Sequence, residues 1–263
     1  MPITMSDFAS LKDYVEDLAA KMLQNQAALN AKSYNTAWVE KGKALEFDYS
    51  LAAAMEIGEF INSYGYSWWS KSPQDMSNCK TEIIDAVHFM LSQTIIECGT
   101  IEASAKIISA AYVESVHLEN AGNPLYFAKM LSASLHVAHC ENIIVNESEF
   151  HYNPWVFLFA LAKSIDFDLD HLYTRYIGKS LLNAFRQVNY YKQGVRLYGS
   201  KDQGNTYLKC WDGTNEDNYF LADWIDGLDS APSENDIRKW MTETYEKWCF
   251  LSNQAWQDCQ PAS

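Results

Sequence analysis

Glycine and proline are scarce, with 11 and 6 residues in a chain of 263, a composition that suits helices. The six cysteines (Cys79, Cys98, Cys140, Cys210, Cys249, Cys259) are scattered and form no Cys-x-x-Cys pair. A thiolate zinc site or a redox dithiol is therefore not indicated. Basic residues are few, 20 Lys and Arg against 34 Asp and Glu, for a net charge of −14. That argues against non-specific nucleic-acid binding, which needs a basic surface. No uncharged apolar run approaches the ~18 residues of a membrane span. The start, Met1-Pro-Ile-Thr-Met-Ser-Asp7, has neither the charged opening nor the apolar core of a secretory leader. These absences together predict a cytoplasmic, reduced, helical protein without membrane or nucleic-acid partners.

What is present reads as a series of helices. An amphipathic pattern runs from Phe8 to Leu29, and a loop rich in Asn, Ser and Thr follows it. Two apolar helices, both read as buried, come next over Leu51–Ile61 and Ile83–Ile96, separated by a break with Gly65, Pro73 and the pair Trp68-Trp69. Further helices are predicted at Ile101–Leu118, Leu125–Ile144, Trp155–Ser164 and Asp168–Tyr191, and a last one opens at Ser233. The stretch 195–217 alone carries β character. The fold class is all-α, a helical bundle with a short β-like segment.

Within the two apolar helices sit four carboxylates. Glu56 and Glu59 are three residues apart, as are Glu82 and Asp85, so each pair shares a helix face. An ionised carboxylate in apolar surroundings costs several kcal/mol or more unless it is paired or metal-bound, and no Lys or Arg lies between Lys43 and Lys71. Mg²⁺ suits an all-oxygen set that leaves room for water and phosphate oxygens. The plainer alternative makes both pairs the solvated faces of amphipathic helices. Charge elsewhere is uneven. Between Tyr173 and Lys209 stand seven basic residues and one acidic one. Lys179, Asn183 and Arg186 share a helix face there, either as a solvated basic surface or as contacts to a polyphosphate.

In this order, the blocks resemble the dimeric all-α dUTPases within the all-α NTP pyrophosphohydrolase superfamily. The resemblance rests on Gln26-x-x-x-Asn30, Glu56-x-x-Glu59, Trp68-Trp69, Glu82-x-x-Asp85 with His88-Phe89 and Ser92, Gly178 to Lys192, and Trp211 to Asn218. It implies a homodimer in which Glu56, Glu59, Glu82 and Asp85 hold two or three Mg²⁺ ions per site. Gln26 and Asn30 would read the uracil edge. Trp68 or Trp69 would close over the nucleotide, Phe89 would pack on the deoxyribose, and Asn183 would contact the nucleoside. Lys179, Arg186 and Lys192 would meet phosphates, and Glu216, Asp217 and Asn218 would complete that side. The implied reaction is hydrolysis of dUTP, and of dUDP, with attack at the β-phosphorus. Glu56 is the preferred base, with Glu59 the other catalytic carboxylate. The chain is read as one catalytic domain over 1–263, with a helical insertion at about 100–153 of unassigned role.

Rival readings draw on other residues. A di-iron oxidoreductase would use Glu114-x-x-His117 or Asp85-x-x-His88 with the carboxylates. A related pyrophosphohydrolase would act on dCTP, because an amide side chain can present either edge to a pyrimidine. A third possibility is a nucleotide-gated binding protein derived from the enzyme. His136-x-x-His139 with Cys140 has metal-ligand spacing but no further ligands nearby in sequence.

Overall fold

The computed structural model describes residues 5–69, 73–118, 121–137, 153–189 and 217–258, and leaves aside the side chains of 5–8, 188–189 and 247–258. All regular structure among these residues is helical, and no strand occurs there. The elements are α1 (Met5–Tyr34), α2 (Ala37–Lys43), α3 (Tyr49–Ser63), α4 (Met76–Cys98) and α5 (Ile101–Ser115), which ends in a 3-10 turn at Val116–Leu118. They continue as α6 (Pro124–Val137), α7 (Pro154–Lys163), α8 (Leu169–Asn189), α9 (Asp217–Asp226) and α10 (Glu234–Asp258). The fold is all-α. No helix among the described residues is long and apolar enough to cross a membrane.

Helix starts follow local side-chain chemistry. Asp48 caps α3 by accepting from Leu51 N at 2.8 Å, and Asp75 caps α4 by accepting from Asn78 N at 2.9 Å. Thr100 does the same for α5 through Ala103 N. Asn153 caps α7, whose first turn opens with Pro154. Helix α4 stops at Gly99, which adopts the left-handed conformation (φ +75°).

The chain forms two compact units, Met1–Tyr176 and Ile177–Ser263. In the first, α3 packs on α4, α1 on α5 and α4, and α6 on α3 and α7. Ile83, Ile84, Val87, Met90 and Leu91 of α4 are all buried, as are Ala53, Ile57 and Phe60 of α3. Trp155 of α7 ties into this core by donating its indole N–H to Thr94 at 2.9 Å. In the second unit, Leu221, Ala222 and Ile225 of α9 and Ile237 and Met241 of α10 are buried, and Trp224 stacks on Trp240 with centroids 4.9 Å apart.

Several expectations are corrected. Helix α1 extends beyond both ends of the Phe8–Leu29 pattern, and the polar stretch after it contains α2. Helix α3 is not buried all round, since Leu51, Met55 and Glu59 face outward. Its outward side carries apolar residues, which is why sequence alone overstates its burial. Asp217, placed at the end of a β-like segment, opens α9 instead. Residues 195–216 lie outside the described residues.

Candidate active site

Three carboxylates converge between α3 and α4. Glu56, Glu59 and Glu82 each offer an oxygen, and the three oxygens lie within 4.8 Å of one another. The i, i+3 spacing on α3 brings Glu56 and Glu59 to one face, and the packing of α3 on α4 brings Glu82 to meet them. Their burial differs: Glu82 is buried, Glu56 half-buried and Glu59 exposed. Asp85, one turn further along α4, is half-buried and does not belong to the converging three. The donor set is all oxygen and anionic, which fits a hard divalent cation. A buried carboxylate such as Glu82 gains most from one.

One to three turns C-terminal to Glu82 on α4, a polar network crosses to α1. Gln26 and Asn30, both over nine-tenths buried, sit a turn apart and are joined by Gln26 Nε2 donating to Asn30 Oδ1 at 3.0 Å. Both amides also donate to Ser92 Oγ, from Gln26 Nε2 at 3.2 Å and Asn30 Nδ2 at 2.9 Å. His88 Nδ1 is 2.7 Å from Gln26 Oε1, and the Tyr176 hydroxyl is within 3.2 Å of the same oxygen and 2.9 Å from Met22 O. Phe89 is half-buried beside the Tyr49 ring, at 6.5 Å between centroids. Burial pushes the Tyr49 phenol up to about 12, with Tyr34 adding to the shift. Trp68 and Trp69 stand edge-to-face, 5.5 Å apart, and are 82% and 68% exposed. Two aromatic rings left this far in water are available to a ligand.

In the second unit, Arg186 is the hub. Its Nε donates to Asp217 Oδ2 at 2.8 Å, its Nη2 to Asp217 Oδ1 and, at 2.9 Å, to Asn218 Oδ1. Its Nη1 reaches Asn183 Oδ1 at 3.4 Å. Asp217 is 2% exposed and sits at the first residue of α9, where the helix dipole favours an anion. Four of the expected site residues are thus brought together: Asn183, Arg186, Asp217 and Asn218. Lys179, one turn before Asn183, is half-buried. Lys192 and Glu216 lie outside the described residues.

Sequence reasoning gave no role to Ser92, although the residue stood in a matched block, and it missed Tyr176. A lone tyrosine in a helix offers no pattern to read. The di-iron reading finds no support in Glu114 and His117, which are both exposed. His136 is also exposed and its Nδ1 lies 2.7 Å from its own helix at Ser132 O, while His139 and Cys140 lie outside the described residues.

An all-α fold that gathers carboxylates from two consecutive helices agrees with the resemblance to the helical pyrophosphohydrolases of nucleoside triphosphates. The family model described as dUTPase matches residues 19–191, and the chain belongs to that family, the all-α dimeric dUTPases. It is an enzyme, a nucleoside triphosphate pyrophosphohydrolase acting on dUTP. The family uses a divalent metal. No curated protein matches the chain.

Proposed function

We propose that the protein hydrolyses dUTP, and dUDP as well, in a Mg²⁺-dependent reaction that yields dUMP. The observation that carries this reading is the convergence of Glu56, Glu59 and Glu82 within a chain of this family. Glu56, Glu59, Glu82 and Asp85 would hold two or three Mg²⁺ ions. When bound, such ions lower the pKa of a water and neutralise charge building on the leaving group. Glu56 takes the proton from the attacking water, with Glu59 beside it. On dUTP, the water oxygen bonds to the β-phosphorus, and the bond from that phosphorus to the α–β bridging oxygen breaks. That oxygen stays with dUMP, and pyrophosphate leaves.

The remaining roles rest on the family pattern. Gln26 and Asn30 face the uracil, Phe89 crowds a ribose 2′-hydroxyl, and the exposed pair Trp68 and Trp69 covers the nucleotide. Asn183 contacts the nucleoside, and Lys179, Arg186 and Lys192 meet phosphate oxygens, with Glu216, Asp217 and Asn218 on the same side. We also infer a homodimer, in keeping with the family, a cytoplasmic location, in keeping with the composition, and a single catalytic domain in which the helices of 100–153 are an insertion.

Parallel turnover assays with dUTP, dCTP, dTTP and UTP, each with and without Mg²⁺, test the reading. The expected result is Mg²⁺-dependent release of pyrophosphate with dUTP preferred. Equal rates on all four would reduce the enzyme to a general nucleotide pyrophosphatase.

A further inference from the structure

The amide network between α1 and α4 contains a polarity that can be worked out atom by atom. A backbone carbonyl only accepts hydrogen bonds. Ser92 Oγ is 3.0 Å from the carbonyl oxygen of His88, one turn back on α4, and donates its single hydrogen there. The hydroxyl has nothing left to donate, so the two amides that reach it must do so with their nitrogens. That fixes Gln26 Nε2 and Asn30 Nδ2 on Ser92 Oγ, which fills both lone pairs of the hydroxyl.

The remaining orientations follow. With its nitrogen toward Ser92, Gln26 turns its oxygen to His88 Nδ1, which therefore carries the ring hydrogen at that position. The second hydrogen of Gln26 Nε2 goes to Asn30 Oδ1. Turning the Asn30 amide over would set its oxygen against the filled lone pairs of Ser92 and its N–H against the Gln26 N–H. Both contacts are repulsive and buried, so the turn is costly.

We propose that Ser92 is a positioning residue for base selectivity. It locks the Asn30 amide in one orientation, and Asn30, rather than Gln26, is the amide that reads the pyrimidine edge. Gln26 has spent both hydrogens of its nitrogen, and its oxygen is enclosed by His88 and Tyr176. Asn30 keeps one N–H and one lone pair beyond its bonds to Gln26 and Ser92. Uracil and cytosine differ by exchanging donor for acceptor at N3 and at position 4. An amide free to turn over serves both bases, and a locked one serves a single base. The inference rests on the assignment of this pair to the base.

The test compares kcat/KM for dUTP and dCTP in the full chain with saturating Mg²⁺, for the wild type and for Ser92→Ala, Ser92→Cys, Ser92→Thr and Asn30→Ala. Ser92→Ala is expected to lower the dUTP-to-dCTP ratio about tenfold, the loss of one net hydrogen bond, with helical content retained. Ser92→Cys, whose sulfur is a weak acceptor, lowers it too and decides the matter if the alanine variant does not fold. Ser92→Thr keeps the ratio, since a threonine on the same helix makes the equivalent bond, Thr94 Oγ1 to Met90 O at 2.8 Å. A folded Ala or Cys variant with the wild-type ratio overturns the lock, while the base assignment stands. Wild-type kcat/KM for dUTP in Asn30→Ala overturns the base assignment itself and the lock with it.

Discussion

Arg175 and Arg186 look alike in a basic stretch of sequence and do different things. Arg175 is buried and donates to Ser77 O and Thr81 Oγ1, each at 3.3 Å, so it braces the start of α4. Arg186 is forked onto the buried Asp217 carboxylate, the geometry for which a guanidinium is suited. Lys179 is half-buried. A count of charges along the chain could not separate these roles, because Ser77, Thr81 and Asp217 are all distant in sequence from the arginines they bind. The Arg186–Asp217 pair is largely out of water, and breaking one side leaves the other charge uncompensated. Asp217→Ala is therefore expected to destabilise the second unit by about 3–5 kcal/mol. Denaturant unfolding followed at the tryptophans of α9 and α10 checks this, and an unchanged midpoint would contradict it.

At the scale of elements, legibility tracked how one-sided each helix is. Helix α4 is buried almost all round, and its continuous apolar run announced this directly. On α3, Leu51 and Met55 are apolar yet exposed, so the same inference overstated its burial. The pairing of Glu56 with Glu59 was readable because it is local; Glu82 joining them depends on how α3 packs against α4, which spacing does not encode. Helix α9 was missed because its ten residues are short for a periodic signal, and a β-like stretch masked its start. Caps were more readable. Ser233 was expected to open α10, and its hydroxyl accepts from Asp236 N at 3.2 Å while Asp236 Oδ2 accepts from Ser233 N at 3.0 Å. The Ser233 hydrogen bonds also hold the Asp236 carboxyl below its usual range. A depressed carboxylate stabilises above its unfolded pKa and loses that effect as pH falls through the folded value. Ser233→Ala is expected to cost about 1 kcal/mol, read as a drop in thermal midpoint that narrows under strongly acidic conditions. No change at neutral pH would contradict the cap.

For the whole molecule, an acidic protein that acts on a polyanion needs its negative field offset at the point of binding. The net charge is −14, and the converging Glu56, Glu59 and Glu82 add negative charge at the proposed site, which a bound cation would offset for an approaching triphosphate. On the proposed reading, metal and substrate are coupled through the same carboxylates. The most direct measurement is pyrophosphate release from dUTP by the wild type and by Glu82→Gln, each with Mg²⁺ and after chelation. Wild-type turnover that disappears on chelation and returns with Mg²⁺, and a Glu82→Gln variant that keeps its helical content but has no turnover, is the predicted result. Undiminished turnover in Glu82→Gln, or in the chelated wild type, would contradict the assignment of these carboxylates to a metal-dependent hydrolysis.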